Sequence, residues 1–460
     1  MRHVPRIVFA VVLAGGCSGG DDDAGQADAG PVATVTWHQD IAPLVAEHCA
    51  GCHTEGGIAP MSLEDYDTAA TFAPLLASKV KAGEMPPWDA VATDDCEPRF
   101  GWRDDPRLSP AEMELLQTWA DEDAPLGDPA TAAPIPDPPD LTLQNPTHKV
   151  KPEVGFAPAG DTDQFICYVI DPGIATPGWV TGFHVVPSDL SIAHHAVVTA
   201  VPPDGQDELA AMTGPDGYFD CFGGVNVPGN YFLGVWVPGS LPFEAPDQVG
   251  IPFVAGSKLV LQMHYHPIGG SHQPERSEVQ LRVTPTKPDR QLMFIAVGNA
   301  GAEPILKPGP NDQGTVQFKI PAGMSGHTET MVFPIPGDSP QRFPIVSAFP
   351  HMHYVGVDLD ARIKRGPGAG SEPVDECLVK VPSWKFDWQR TYLYDADIAD
   401  LPTVGAGDEL TLRCTYDNTL ENKYVERALD EQGLDLPVDV FLGEQTLDEM
   451  CIAAFGIIVD

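Results

Sequence analysis

AFPHMHYVGVDLDARI, residues 348–363, alternates apolar and polar side chains along its second half, which predicts a β-strand. Alternate residues of a strand share a face, so Val357 and Leu359 are expected on the core side of a sheet. His351 and His353 have the same parity as these two residues, and both imidazoles are therefore expected to point toward the core. Burying two polar rings is unfavourable unless a partner satisfies them. The stretch therefore predicts that the two rings have such a partner.

The composition indicates a large, loop-rich, mostly β protein. The chain has 460 residues, enough for about three domains at ~150 residues each. Its 48 Pro and 45 Gly favour many turns over a helical bundle. The net charge of −40, from 66 acidic and 26 basic residues, repels nucleic acid and anionic headgroups. Nucleic acid is therefore not expected as a partner.

The N-terminus has the features of a bacterial export signal. Arg2 and Arg6 precede a short apolar run that ends in small residues before Cys17. Residues 1–17 resemble a lipoprotein signal peptide, in which Cys17 becomes the lipidated first residue; the alternative is a plain secretory signal. Residues 18–34 are Gly-rich and acidic, as a flexible tether would be. We expect an exported, lipid-anchored protein of the cell envelope, on the periplasmic side or the outer membrane, held to the membrane by acyl chains.

A helical region is expected to follow the tether. Residues 35–126 contain two amphipathic patterns, DIAPLVAEHC and SPAEMELLQTWADEDAP. The second begins with Ser109 as N-cap, Pro110 at the first helical position and Glu112 three residues after the cap. Residues 127–140 are rich in Pro and Asp and predict a stiff linker.

Strand patterns dominate after residue 140. KLVLQMHYHP, LTLRCTY and AHHAVVTAV alternate and are separated by Pro and Gly. We divide this part into two β-sandwich domains, residues 141–287 and 288–460. The predicted fold is therefore multidomain, with a small all-α domain followed by two all-β domains.

The pentapeptide CAGCH, with Cys49, Cys52 and His53, is the attachment signature of c-type haem. A disulfide between the two cysteines and a zinc site are the alternatives. The segment resembles cytochrome c domains in which MPPW presents the distal thioether, which selects Met85 as sixth ligand over Met61. Such a His/Met haem has no open site and carries electrons. Residues 35–126 are accordingly predicted to form a cytochrome c-like haem domain.

Three histidine pairs lie in the β region, although the chain has 14 His in all. His194 and His195 in AHHAVV point to opposite faces of an ideal strand, so both bind one metal only if the strand bulges there. MHYH adds His264, with His266 as the alternative on the same face. Neutral imidazoles suit copper and zinc, and a thioether shifts the preference toward Cu(I).

Four motifs in order, AHHAVV, LQMHYHP, PHMHYVG and LDEMCIAAF, resemble the type II copper, ascorbate-dependent monooxygenases. This family includes peptidylglycine α-hydroxylating monooxygenase and dopamine β-monooxygenase, and the resemblance covers residues 140–460. It implies two jelly-roll-like sandwiches that hold two copper ions. The electron-transfer copper would be bound by His194, His195 and His264, and the oxygen-activating, catalytic copper by His351, His353 and Met450. His184, His272 and His327 are left as ordinary polar residues, and Met352 as a packing residue.

The family resemblance also implies disulfides. It pairs Cys414 with Cys451, and Cys167 with Cys221. Cys96 and Cys377 remain, and either pair with each other or stay unpaired.

The implied activity is hydroxylation of a C–H bond with O2, with electrons passed from a reductant, ascorbate-like or another redox protein, through the haem. Amidating members carry an Arg where this chain has Phe349, and Asn and Tyr where it has Ile452 and Ala454. We therefore expect a small, neutral organic substrate and no amidation of glycine-extended peptides. The alternatives are a non-catalytic electron-transfer or copper-binding envelope lipoprotein, and a surface interaction module with incidental histidines.

Overall fold

The protein is described by a computed structural model that covers residues 35–57, 59–137, 140–160, 162–221, 224–267, 271–443, 445 and 447–460. The signal peptide, Cys17 and the tether predicted for residues 1–34 lie outside the described residues. Residues 35–460 form one compact unit.

The strands, β1–β21 in chain order, are His148–Val150, Gln164–Ile170, Gly178–Val186, Ala193–Val201, Tyr218–Asp220, Tyr231–Trp236, Phe243–Glu244, Val249–Phe253, Lys258–Tyr265, Glu278–Thr284, Arg290–Gly298, Lys319–Ile320, Ser325–Pro334, Arg342–His351, Gly356–Lys364, Asp375–Val381, Tyr392–Leu393, Thr403–Gly405, Glu409–Asp417, Val440–Phe441 and Ile452–Val459. The α-helices, α1–α5, are Ala42–His48, Tyr66–Lys81, Pro110–Asp121, Gln206–Met212 and Lys423–Gln432.

The architecture is a multi-sheet β-sandwich. A ten-stranded sheet in the order β1-β10-β3-β8-β11-β21-β14-β17, with β7 and β18 at its sides, runs through both halves of the β region. A five-stranded sheet, β5-β2-β9-β4-β6, belongs to the first half, and a four-stranded sheet, β13-β19-β15-β16, to the second. The two halves join where β11 pairs parallel to β8, with Arg290 opposite Val249. The boundary predicted between residues 287 and 288 thus falls inside one continuous sheet.

The prediction of one strand across residues 348–363 is wrong. Strand β14 ends at His351, and β15 begins at Gly356. The chain turns between them because the buried carboxylate of Glu449 accepts the backbone N–H groups of His353, Val355 and Gly356, which a continuous strand would offer to a neighbour. In β15 itself the expected parity holds only in part: Leu359 is buried, but Val357 is half-buried and Asp360, on the opposite face, is buried too.

The prediction of a separate all-α, cytochrome c-like domain at residues 35–126 is also wrong, and with it the multidomain fold. Short helices α1–α3 are present and share a small core, but the chain between α2 and α3 packs into the β-sandwich. Trp88 and Trp102 belong to the sandwich core. The backbone bridges Pro98 to Cys377 and Trp102 to Tyr394. Helical periodicity could not predict these contacts, because the segment that makes them has no helical periodicity.

The local helix signals are confirmed. Ser109 accepts the N–H of Glu112, and the Glu112 side chain accepts the N–H of Ser109, so the capping box at the start of α3 is complete. Leu116 and Trp119 are buried from this helix.

Three disulfides join Cys96 to Cys377, Cys167 to Cys221 and Cys414 to Cys451. The two pairings implied by the family resemblance are confirmed, and the two remaining cysteines pair with each other. Disulfides are typical of extracellular or periplasmic proteins. Within the described ranges, no helix is both long and apolar enough to cross a bilayer.

Candidate metal centres and the adjoining cavity

His194, His195 and His264 come from two neighbouring strands of the five-stranded sheet. β4 and β9 are antiparallel, and His195 lies opposite His264. The register shifts between Ala193 and His195, so His194 is the extra residue of a β-bulge. The bulge brings both consecutive histidines together with His264, as the sequence argument required.

The three rings converge through their Nδ1 atoms. His195 Nδ1 lies 3.4 Å from His194 Nδ1 and 3.2 Å from His264 Nδ1. Three nitrogens bound tetrahedrally to one ion at about 2.0–2.1 Å are themselves about 3.3–3.4 Å apart. Burial lowers the pKa of His194 to about 3 and that of His195 well below its ordinary value. The His194 and His195 rings are therefore neutral, which is the form that binds a metal ion.

An acidic outer shell surrounds this triad. Asp163 Oδ2 lies 3.2 Å from His264 Nε2 and 2.9 Å from the Arg427 guanidinium. Asp387 lies 3.9 Å from His194 Nε2. Burial alone would raise the pKa of Asp163, but its contacts with His264, His266 and Arg427 hold the pKa well below its usual range. The Asp163 carboxylate thus lies beside Nε2 of His264, while Nδ1 of the same ring is the atom that faces the other two histidines.

Replacing Asp163 with asparagine is expected to weaken metal binding by the triad about 10–100-fold, because an outer-shell carboxylate orients its histidine and raises its basicity. Competition titration with a chelator measures the affinity. Glu431→Gln is the matched control, since Glu431 contacts Arg427 at 3.8 Å from the far side of the same network. Equal affinities in both variants would contradict the role given to Asp163.

His351 and His353 form a second cluster at the end of β14. His351 lies opposite Ile452 in β21, and continuing this antiparallel register would set Met450 opposite His353. The two ring centroids are 5.2 Å apart. His351 Nδ1 contacts Gln389 Oε1 at 2.9 Å, and His353 Nδ1 contacts the Asp448 carbonyl at 3.1 Å. With Nδ1 engaged, Nε2 is the nitrogen of each ring that an ion would use.

Burial also keeps this second pair neutral. It lowers the pKa of His351 to about 4 and that of His353 to about 3. Met450 is buried at 6% exposure. Two neutral imidazoles and a thioether form a soft donor set, which suits Cu(I).

Residues 386–389, which have no ligand pattern in the sequence, lie between the two histidine clusters. The ring centroid of Phe386 is 6.0 Å from that of His264 and 6.4 Å from that of His353, so these histidines lie within about 12 Å of each other. The ring centroid of Trp388 is 5.9 Å from that of His194. Gln389 Oε1 contacts Nδ1 of His351. The letters FDWQ have no metal-ligand spacing, which is why only the structure reveals them.

The CAGCH motif lines a cavity of about 680 Å³. Cys49, Cys52 and His53 contribute to its wall, as do both candidate sixth ligands, Met61 and Met85. His194, His266 and Trp388 line the same cavity, which therefore reaches from the motif to the histidine triad.

The motif itself has the features that a covalently bound haem needs. His53 Nδ1 contacts the Met61 carbonyl at 3.1 Å, which leaves Nε2 for an axial bond. Cys49 and Cys52 are the described cysteines outside a disulfide, which weighs against the disulfide alternative. Burial raises the pKa of Cys49 to about 12. Met85 is 37% exposed, and Met61 packs partly against the helical core.

The remaining candidates are not part of the histidine triad. His266 is half exposed and contacts Asp163 at 2.6 Å. Met352 is fully buried, as expected for packing. His327 pairs with Glu329 at 2.7 Å, and His272 lies 3.8 Å from Asp189.

An apolar, half-buried face adjoins His351. Phe349 and His351 alternate on β14, and their partners on β21 are Ala454 and Ile452. In an antiparallel pair, directly opposite residues share a face, so all four side chains lie on one side of the sheet. Phe349 also stacks on Phe232 at 5.7 Å between ring centroids.

No known protein family model matches the chain, and no curated protein matches it. Among solved structures, it is similar to an allantoicase at 12% identity, covering 56% of this chain and 78% of that one, with a TM-score of 0.15. It is also similar to the VP2 subviral particle of infectious bursal disease virus at 13% identity, covering 70% and 72%, with a TM-score of 0.16.

Proposed function

We propose that the protein is a copper-dependent monooxygenase that hydroxylates a C–H bond of a small, neutral organic molecule. The balanced reaction takes substrate, O2, two electrons and two protons to the hydroxylated product and one water. The observation that carries the proposal is the pair of buried histidine clusters, one with three converging Nδ1 atoms and one beside Met450. The ring centroids of His264 and His353 both lie near that of Phe386 and within about 12 Å of each other.

The two histidine clusters and the apolar face would have different roles. Bound copper would supply one-electron redox chemistry and, at the thioether-containing site, reaction with O2. His194, His195 and His264 offer three nitrogens whose spacing suits a small ion. Gln389 and the Asp448 carbonyl orient His351 and His353. The apolar face of Phe349, Ile452 and Ala454 would bind a substrate without an ionic group.

Electrons are proposed to enter through a c-type haem on Cys49, Cys52 and His53, with Met85 as sixth ligand and Met61 as the alternative. A cavity of about 680 Å³ is within the range of cofactor sites, and these residues line it. Trp388 and His194 line it too, so a haem there would lie next to the first copper cluster. Lipid anchoring at Cys17 completes the proposal of an envelope enzyme.

The decisive experiment uses full-length protein, with haem attached and copper restored. We expect two copper and one iron per chain, a c-type absorption spectrum, and one atom from labelled O2 in the product of a neutral aromatic or aliphatic probe. Reduced haem should reoxidise only when copper and O2 are both present. A glycine-extended peptide should yield no amide.

The other outcomes separate the alternatives. Metals in this ratio with no labelled product from any probe would favour an electron-transfer lipoprotein. Absence of copper after loading would overturn the oxygenase proposal, and absence of haem would overturn the electron route alone.

A further inference from the structure

One end of the cavity carries three buried donor groups that have no hydrogen-bond acceptor among the described residues. They are Trp88 Nε1, Arg390 Nε and Thr391 Oγ1. All three residues line the cavity. Trp88 is the last residue of the MPPW motif, whereas Arg390 and Thr391 continue the segment that begins at Phe386. Two distant parts of the chain therefore bring donors to one place.

Leaving such groups unpaired is costly. A buried donor without an acceptor destabilises the folded protein, and native proteins contain few of them. Three in one cavity wall indicate an acceptor that occupies the cavity.

Arg390 adds a positive charge that forms no direct ion pair among the described residues, although it partly offsets the rise that burial causes in the pKa of Asp89. In the described part of the chain, no carboxylate lies within 4.0 Å of its guanidinium, although the protein has 66 acidic residues. The nearby Asp89 is engaged instead by Lys385 at 2.7 Å. The Arg390 guanidinium lies over the Trp88 ring, 5.0 Å from its centroid, so stacking holds its plane. A planar, fixed guanidinium is suited to a carboxylate.

The position of Arg390 relative to CAGCH identifies the source of that carboxylate. Arg390 and Cys52 line the same cavity. Burial raises the pKa of the Cys52 thiol, and the positive charge of Arg390 partly offsets that rise.

We propose that Trp88, Arg390 and Thr391 form a carboxylate subsite that binds a propionate of the haem; this inference rests on the haem of the proposed function. The propionate would accept from the guanidinium, the indole N–H and the Thr391 hydroxyl. Because Arg390 follows Gln389, which holds His351, the subsite would fix the haem on the sandwich side of the cavity as well as on the helical side.

The test measures the haem midpoint potential in full-length holoprotein. In Arg390→Gln the lost positive charge should lower the potential, and Arg390→Lys should recover most of it. Trp88→Phe and Thr391→Val, which each remove one donor, should give smaller shifts in the same direction. Arg103→Gln is the matched control, because Arg103 lines the same cavity but contacts Asp104 and the Glu244 carbonyl; it should leave the potential unchanged.

The outcomes separate this inference from the proposed function. If haem is bound and Arg390→Gln keeps the wild-type potential, the subsite is refuted while the electron route stands. An unchanged potential together with a raised KM for carboxylate-bearing substrates would assign the subsite to substrate, which also refutes a propionate. If the wild-type protein attaches no haem, the subsite and the electron route both fail, while the copper oxygenase proposal stands.

Discussion

His264→Ala is expected to remove one of two copper ions and to lower hydroxylation at least about 100-fold. Losing a metal ligand exceeds the 10–100-fold effect typical of an outer-shell change. The other two nitrogens of the triad, on His194 and His195, remain 3.4 Å apart but cannot close the site. Copper analysis per chain and product formation under saturating reductant measure the two effects.

His266→Ala is the matched control for that experiment. His266 lies two residues further along the same chain segment and also contacts Asp163, but it is not part of the triad of converging nitrogens. It should keep two copper ions and most of the activity. If copper were lost only in His266→Ala, then His266 and not His264 would be the ligand, which is the alternative that the sequence left open.

The choice between His264 and His266 shows how much of the site could be predicted from the sequence. Parity put both on one face of a strand, and the motif resemblance selected His264. Strand geometry alone requires a bulge if His194 and His195 are to bind one ion, and the register shift at His195 confirms that bulge. Local rules thus predicted the arrangement within each motif.

Strand geometry within each motif could not predict how the motifs are placed relative to one another in space. His264 and His353 are 89 positions apart, and only the packing of different sheets brings both near Phe386. The same limit explains the error in the helical region. The amphipathic patterns identified α1 and α3 correctly. Trp88 and Trp102 lie between α2 and α3, where no helical period exists to show that they enter the sandwich core.

The roles of buried polar residues also could not be predicted from the sequence. Asp163 and Glu449 look like any acidic residues in a chain with 66 of them. Their roles depend on backbone and side-chain donors from distant segments. A carboxylate that is fully buried beside a metal cluster is informative, but only once the fold is known.

Glu449→Ala is expected to produce the largest loss of stability, about 4 kcal/mol in the free energy of unfolding. Glu449 is fully buried, and its carboxylate accepts four backbone N–H groups, those of His353, Val355, Gly356 and Met450. Each donor left without an acceptor in the interior costs about 1–3 kcal/mol. Chemical denaturation of the metal-free protein measures the change.

The same substitution should remove copper from the second cluster while the triad keeps its ion. Two of the four donors belong to His353 and Met450, so the carboxylate holds two of the three proposed ligands in one place. Glu449→Gln keeps one acceptor oxygen and should lose about half as much stability. Glu329→Ala is the control, because Glu329 is equally buried but pairs with His327; it should lower stability and keep both ions. Two copper ions in Glu449→Ala would show that this carboxylate supports the turn alone and not the ligands.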